Sequence, residues 1–447
     1  MYKKIIISAI ALLTFQNNNH AQGTFSTLGA GVNNIVFAIA SDASNNIYAG
    51  GALTYAGGNP ANYIAKWNGT NWSTLAGGAN YYVRSLLYYN SILYVGGGFN
   101  TVNGSTIAWG VATWNGTTWS NIGSGIHGDV YTLAVYNSEM YAGGFFDTLS
   151  GFNPGRGIEK WNGSSWVSID GVLGGGVTGP PGFRVKALQV FNGELYVGGN
   201  FVSAGALTVN NIAKWNGSSW SAVGSGTNGE VNAFYIFNGE LYAGGDFTIA
   251  GGITVNHIAK INGTSYSAIG TGTNGLVNGI SSYQNNLYIT GAFTTAAPAS
   301  ANNIARWDGS SWNALNIGLN FDGYCFMPHN GSLYVGGFFT VAGTALANDI
   351  ARWAIPTGID EINYNSNLNI YPNPSNGIFT IDLKNSFSDK YQIEIFSMEG
   401  KNVFSGNENF SIIGNKAELD LTAFSKGNYY LKLKTDIGVF VKKITIR

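Results

Sequence analysis

One short motif occurs seven times in this 447-residue chain, and it constrains the fold more than any other feature. One copy reads Leu195-Tyr-Val-Gly-Gly199 and precedes a strand-like segment that ends at Trp215. The equivalent end positions are spaced 46 to 54 residues apart, at Trp67, Trp114, Trp161, Trp215, Ile261, Trp307 and Trp353. Such a repeat predicts one supersecondary unit per copy, packed against its neighbours along the chain.

Each copy predicts four short strands joined by tight turns. In the fifth copy the apolar pattern predicts strands at Val231–Phe237, Leu241–Gly245, Ile258–Ile261 and Tyr266–Ile269. Asn-Gly pairs such as Asn238-Gly239 supply the positive φ angles that two-residue hairpin turns need. Seven four-stranded units of this length predict a seven-bladed β-propeller.

The two ends of the repeat region predict how this ring closes. After Trp353 the chain leaves the repeat, so the last copy lacks its fourth strand. At the other end, Phe25-Ser-Thr-Leu28 matches Trp72-Ser-Thr-Leu75, which is the fourth strand of the first copy. We expect the N-terminal strand to complete the last blade and to cover two strand edges that would otherwise promote aggregation.

Composition agrees with an all-β chain and separates two regions. Only 10% of residues are charged, 64 are Gly and 14% are aromatic, which disfavours a helix-rich or disordered chain. The net charge of −1 disfavours a nucleic-acid or anionic-membrane partner. Residues 360–447 hold 10 acidic and 10 basic side chains and no Trp, so we expect a second domain there.

These observations predict four segments: a signal peptide over 1–21, the propeller over 22–355, a linker over 356–366 and a small antiparallel β-sandwich over 367–447. The first segment has Lys3 and Lys4, an apolar run from Ile5 to Phe15 and a cleavage position after Ala21. The apolar run is short for a membrane span, and no other long one follows, so no transmembrane segment is expected.

Candidate ligand-binding residues gather where the first strand of each blade begins. Because the other turns are tight, the longer loops should lie together at this mouth of the central channel, where loops are freer to carry function. The candidates are Tyr82, Arg84, Asp129, Tyr131, Arg184, Lys186, Glu230, Asp322 and Tyr324. Two interpretations stay open: the charges pair as salt bridges, or they join Phe183 and Phe321 in a polar-aromatic mouth for a glycan or peptide.

Metal, cofactor and nucleophilic chemistry find little support in the residue content. Beyond the predicted signal peptide only His127, His257 and His329 remain, and the repeat places His329 near a different turn. The single cysteine, Cys325, occupies a position that takes small residues in the other copies, so we expect it to pack. We expect no metal, no cofactor and no catalytic residue, although a hydrolase using Asp129 and Glu230 stays open.

One connection is eight residues longer than its equivalents, because Val185 follows Trp166 by 19 positions where the other copies use 11. The extra residues lie within 171–181 and are rich in Gly. A tolerated surface insertion and a functional lid are both open interpretations, and the insertion is preferred.

The repeat resembles known propeller families over Thr24 to Ile355. The Gly-Gly pair with two following aromatics resembles the kelch type, and Asn210-Asn-Ile-Ala-Lys-Trp-Asn-Gly217 is more similar to the cortical polarity marker family. The resemblance implies the fold and says little about chemistry, since propellers serve many functions.

The last 80 or so residues resemble the type A sorting domain of type IX secretion. The shared motifs occur in order, from Tyr371-Pro-Asn-Pro-Ser-Asn-Gly377 to the basic C-terminal strand. The matching positions are Tyr371, Pro372, Asn373, Pro374, Gly377, Gly400, Lys401, Gly427, Tyr429, Lys442 and Lys443. The resemblance implies passage through the periplasm and recognition by the outer-membrane type IX machinery.

Together these features predict a secreted or cell-surface propeller that binds a glycan or protein. Two alternatives remain: an enzyme acting on extracellular polysaccharide, which would need convergent carboxylates or a metal, and a structural surface component, which would self-associate.

Overall fold

The computed structural model of the protein describes residues 23–147, 153, 155–171, 175–355, 368–383, 391–397, 401–406, 410–413, 416–435 and 438–447. Strands and turns make up these residues, and no helix occurs among them. They divide into two compact units, with the boundary after Ile355. The expected signal peptide, the expected linker and Gly400 lie outside the described residues.

The first unit contains seven four-stranded antiparallel sheets, numbered here 1 to 7 with strands A to D. The A strands are Val36–Ser41, Val83–Tyr89, Asp129–Tyr136, Arg184–Phe191, Val231–Phe237, Val277–Tyr283 and Gly323–His329. The B strands are Ile47–Gly51, Ile92–Gly97, Glu139–Phe145, Glu194–Asn200, Glu240–Gly245, Asn286–Gly291 and Ser332–Gly337. The C strands are Ile64–Trp67, Val111–Trp114, Ile158–Trp161, Ile212–Trp215, Ile258–Asn262, Ile304–Trp307 and Ile350–Ala354.

The D strands are Trp72–Thr74, Trp119–Asn121, Trp166–Ser168, Trp220–Ala222, Ser265–Ala268 and Trp312–Ala314 in sheets 1 to 6. In sheet 7 the D position is taken by the N-terminal strand Thr24–Thr27, which pairs antiparallel along strand C from Ala354 to Ala351. The A strands of successive sheets pack on one another, and strand A of sheet 7 packs on strand A of sheet 1.

A Gly-Gly pair ends most B strands because two backbones approach there closely. A Cβ on Gly198 would lie 2.6 Å from Val231 of the next sheet, and a Cβ on Gly199 would overlap the carbonyl oxygen of Arg184. In most junctions a glycine of strand B packs against a valine of the next strand A. Between sheets 6 and 7 the small and the large residue are exchanged, since Thr290 replaces the glycine and Gly323 replaces the valine. The large and small partners are exchanged and the junction still packs.

Tryptophan pairs fill the space between strands C and D. In five sheets the two indole rings lie 5.2–5.7 Å apart with interplanar angles of 49–56°. The second ring also links neighbouring sheets, because Nε1 of Trp72 donates to the Leu28 carbonyl at 2.7 Å and Nε1 of Trp119 donates to Leu75 at 2.7 Å. Phe25 takes this position in sheet 7 and packs 4.7 Å from Trp353.

The residue before each C strand has a left-handed backbone, with φ between 60° and 71°. Asn211 and Asn303 fill this position in sheets 4 and 6, and each donates from Nδ2 to a carbonyl of the next sheet. In sheet 7 the residue is Asp349, which is 6% exposed and accepts a hydrogen bond from the Phe339 amide. Burial raises the pKa of Asp349 to about 7.

We expect Asp349→Asn to stabilise the protein at pH 8 by about 1–3 kcal/mol, since the amide needs no ionisation and can donate across the junction as Asn303 does. The folded state holds the Asp349 proton more tightly than the unfolded chain, so the carboxyl weakens folding as pH rises from about 4 to about 7. Urea unfolding would show a clearly larger gain at pH 8 than at pH 5, because only part of the carboxyl's cost is present at pH 5. The reciprocal variant Asn303→Asp should lose stability at pH 8, and equal effects at both pH values would contradict the assignment.

The long connection after sheet 3 carries a short strand of its own. Gly175–Thr178 pairs parallel with Gly155–Arg156, between strands B and C of sheet 3, and antiparallel with Ser203–Ala204, between strands B and C of sheet 4. The described part of this segment therefore joins two B–C connections in a separate small sheet, and residues 172–174 lie outside the description.

The second unit has two four-stranded antiparallel sheets. One runs Leu368–Tyr371, Ile378–Leu383, Lys416–Asp420, Phe410–Ile413, and the other runs Asn402–Gly406, Tyr391–Ser397, Gly427–Thr435, Gly438–Ile446. Their inner faces share one buried cluster that includes Phe379, Ile393 and Leu431. Apolar residues alternate with polar ones along these strands, as expected for sheets with one buried face.

Candidate functional site

Every A strand of the first unit contains a β-bulge at its second or third residue. In sheet 2, for example, Val83 pairs with Gly97 and Ser85 pairs with Gly96, so Arg84 has no partner in strand B. A bulge of this kind turns one side chain away from the regular pleat. The bulged residues, named here the bulge set, are Phe37, Arg84, Tyr131, Lys186, Asn232, Asn278 and Tyr324.

The positions flanking the bulge set vary much less than the set itself. The residue before it is Val in six sheets and Gly in sheet 7, and the residue after it is small in every sheet. The bulge set instead contains aromatic, cationic and amide side chains. One position in each sheet therefore varies in chemistry from sheet to sheet, while the residues on either side of it stay nearly the same.

Arg84 lies at the centre of an aromatic cluster. Its guanidinium carbon is 5.0 Å from the Phe37 ring, 5.5 Å from the Tyr82 ring and 4.9 Å from the Tyr131 ring. Its Nε donates to Asp129 at 3.1 Å, so the charge is paired as well as surrounded by rings. On its other side Phe37 contacts Tyr324 edge-on at 5.5 Å.

A second ionic group joins sheets 4 and 5. Arg184 donates to both carboxylate oxygens of Glu230, at 2.6 and 2.9 Å, and Lys186 Nζ lies 3.0 Å from the same carboxylate. Burial alone would raise the pKa of Glu230. The hydrogen bond from Arg184 and the charge of Lys186 together outweigh burial, so the pKa of Glu230 is lowered. For Lys186, burial lowers the pKa. Glu230 is consequently held ionised.

Amide side chains continue the contacts into sheets 5, 6 and 7. Lys186 Nζ donates to Asn232 Oδ1 at 3.1 Å, and Asn232 Nδ2 donates to the Val277 carbonyl at 3.2 Å. Asn278 Nδ2 then donates to the Gly323 carbonyl at 3.1 Å. An amide has two donors and two acceptor lone pairs, so both asparagines retain unused hydrogen-bonding capacity in these contacts.

Asp322 differs from the other predicted carboxylates. Among the described residues no ion pair forms with its side chain, and burial raises its pKa. It lies next to Phe321, whose ring is 5.8 Å from Phe338. An acceptor without a cation therefore lies beside two exposed aromatic rings.

The structure brings the predicted residues into two contact groups, while Asp322 forms no ion pair among the described residues and is close enough to Tyr324 for its charge, after burial, to raise the pKa of that phenol. The first group holds Tyr82, Arg84, Asp129 and Tyr131, joined to Tyr324 through Phe37, and the second holds Arg184, Lys186 and Glu230. Sequence reasoning missed Phe37, Asn232 and Asn278, because it searched for charges and exposed aromatics. Their signal was their place directly after the first valine of strand A.

The metal-ligating residue types and the single thiol were both part of the prediction for this region. No three His, Cys, Asp or Glu side chains are arranged there to hold a metal ion. Cys325 packs near the first strand of sheet 1, and burial raises the pKa of its thiol to about 12. No helix of the described residues is long and apolar enough to cross a membrane.

In the second unit, the Pro-Asn-Pro segment binds along the C-terminal strand. Asn373 accepts a hydrogen bond from the Thr445 amide at 2.9 Å and donates to the Lys443 carbonyl at 2.8 Å. Ser375 forms a parallel bridge to Ile446 and accepts from the Arg447 amide at 2.8 Å. The first and last motifs predicted for this unit therefore form one surface, with Lys416 5.8 Å from the Tyr371 ring.

Comparisons with known proteins fit both units. Residues 369–447 match the family described as Secretion system C-terminal sorting domain, and residues 175–324 match the Rax2 C-terminal beta propeller domain. No curated protein matches the chain.

Three solved structures resemble the chain weakly. The computationally designed Ika8 protein is 13% identical over 83% of this chain and 97% of its own, with a TM-score of 0.40. The designed Ika4 protein is 12% identical over 38% and 91%, with a TM-score of 0.26. An α-L-arabinofuranosidase from Clostridium thermocellum ATCC 27405 is 15% identical over 52% and 93%, with a TM-score of 0.25. No functional conclusion rests on these three.

The two family matches establish a β-propeller domain and a type IX sorting domain. The sorting domain indicates export to the cell surface or secretion by the type IX system.

Proposed function

We propose that this protein is an exported interaction protein that binds a glycan or protein ligand where its seven A strands begin. In this proposal the seven sheets are the blades of one closed propeller, completed by the N-terminal strand, and the bulge set surrounds the central channel. Support comes from the pairing of Thr24–Thr27 in sheet 7 and from the packing of the first A strand on the last.

The observation that carries the binding proposal is the chemistry of the bulge set. A purely structural channel wall would place similar side chains at seven equivalent positions. Here the set alternates between aromatic and cationic side chains in sheets 1 to 4, consists of amides in sheets 5 and 6, and is aromatic again in sheet 7. The residues beside it stay small or aliphatic. Concave sites that combine apolar surface with a few placed polar groups are the usual ligand sites of proteins.

The enzyme alternative has less support. The two carboxylates weighed as a hydrolase pair, Asp129 and Glu230, are each occupied by a cation. A general acid needs a raised pKa, and that of Glu230 is lowered.

The proposal is tested with the immobilised full chain and extracellular polymer and protein fractions from the bacterium that makes it. We expect the wild type to retain a ligand and the double variant Tyr131→Ala/Asn278→Ala to lose about 90% of it while still unfolding cooperatively above the assay temperature, since hot-spot residues dominate binding. Tyr89 is exposed at the opposite end of its A strand, so Tyr89→Ala is the matched aromatic control. Equal retention by all three proteins would contradict binding at the bulge set, release of reducing ends would favour the enzyme, and concentration-dependent self-association would favour the structural component.

A further inference from the structure

The cations around the bulge set are all paired within the protein. Arg84 pairs with Asp129, and Arg184 and Lys186 share Glu230, so every cation lies within 3.1 Å of a carboxylate. Arg84 is in addition surrounded by three rings. A phosphate, sulfate or uronate would have to displace one of these internal pairs before it gained a cation of its own, and breaking a partly buried pair is costly.

The unpaired charge in the region is negative. Asp322 has no cation beside it among the described residues. An anionic ligand close to Asp322 would be repelled, whereas a hydroxyl group could donate a hydrogen bond to it.

Exposed aromatic rings lie on the loops next to these groups. Tyr81, Phe145, Phe321 and Phe338 are 46–54% exposed, and Tyr81 stacks on Tyr82 at 4.2 Å. Tyr81 and Phe145 also line a cleft of about 450 Å³ with Phe183 and Asp129. A volume of this order is typical of small-ligand sites. Flat apolar rings with separate hydrogen-bonding groups fit the two kinds of surface on a sugar, namely its C–H faces and its hydroxyls.

We propose that this region binds a neutral glycan, with sugar rings stacked on the exposed aromatics and hydroxyl groups bound by Asn232, Asn278 and Asp322. This inference rests on the proposed function and specifies its ligand class. Recognition then depends on stacking and on hydrogen bonds from the hydroxyl groups of an uncharged ligand, because each cation already pairs with a carboxylate of the protein. Binding should consequently depend little on ionic strength.

The test is affinity electrophoresis of the full chain in gels containing single soluble polysaccharides. The neutral probes are xyloglucan, galactomannan, hydroxyethyl cellulose and mixed-linkage glucan, and the anionic probes are alginate, polygalacturonate and dextran sulfate. We expect retardation by at least one neutral probe, unchanged between about 50 and 500 mM NaCl. Tyr81→Ala and Phe321→Ala should each weaken it about five- to tenfold, since a stacking contact contributes on the order of 1 kcal/mol. Tyr89→Ala should not.

Each other outcome overturns the inference in an identifiable way. Retardation by anionic probes alone, lost at high salt, would show that the ligand is acidic and leave the proposed binding region in place. No retardation by any probe, with a protein captured through Tyr131 and Asn278, would replace the glycan by a protein. If the retardation is unaffected by Tyr81→Ala and Phe321→Ala, then a glycan binds elsewhere on the protein. That result would contradict both the stacking proposal and the proposed binding region.

Discussion

Gly323→Val alone should destabilise the protein by about 3 kcal/mol or prevent its folding, and adding Thr290→Gly should restore most of the loss. The valine side chain would overlap Thr290, which is fully buried and donates from Oγ1 to the Asn303 carbonyl at 2.7 Å. The double variant recreates the glycine–valine order of the other six junctions. When Thr290 Oγ1 is removed, the Asn303 carbonyl still accepts a hydrogen bond from the Gly291 amide at 3.1 Å.

A double-mutant cycle measured by urea unfolding would quantify this exchange. Thr290→Gly alone should cost about 1–3 kcal/mol, because it leaves a cavity and adds a flexible glycine. We expect a coupling energy of about 3 kcal/mol or more between the two changes, at the upper end of what residues in contact show. Gly198→Val is the matched control, since it overlaps Val231 in a junction of ordinary order and Thr290→Gly should not rescue it. A double variant no more stable than Gly323→Val would contradict the packing argument.

Deleting residues 23–30 from the full chain should abolish cooperative unfolding of the first unit or lower its melting temperature by about 10 °C or more. The deletion exposes the edge of strand C in sheet 7, removes Phe25 from Trp353 and removes Leu28, which is 2% exposed. It also removes the carbonyl that binds Nε1 of Trp72, so sheet 1 loses a contact as well.

The melting profile would be followed by tryptophan fluorescence. Phe25→Ala keeps the strand and the Leu28 carbonyl, so it should cost only about 3–4 kcal/mol. A synthetic peptide of residues 23–31 should partly restore the deleted protein. An unchanged melting profile after the deletion would show that the N-terminal strand is not needed.

The repeat made most strand positions predictable, because the Gly-Gly pairs and the aromatic positions mark the same points in every copy. One ion pair follows from the same spacing, since Arg184 and Glu230 occupy equivalent positions one repeat of 46 residues apart. The bulges were not predictable in this way, because they depend on how strand A pairs with strand B and every copy of the repeat has one at the same place. Phe37, Asn232 and Asn278 were missed because they are neither charged nor exposed aromatic residues.

The inserted strand Gly175–Thr178 could not be predicted from the sequence pattern either. Its glycines suggested a loop, and its pairing with segments between strands B and C of sheets 3 and 4 depends on residues 20 or more positions away in the sequence. In the second unit the binding of Asn373 and Ser375 along the last strand is a tertiary contact of the same kind.

The tryptophan pairs give the protein a built-in optical signal. Indole rings held 5.2–5.7 Å apart at similar angles in five sheets are close enough for their electronic transitions to couple, which produces paired bands of opposite sign in circular dichroism. Every tryptophan lies before Ala354, so these bands arise from the first unit alone. Unfolding of the two units can therefore be distinguished in the intact chain without a label.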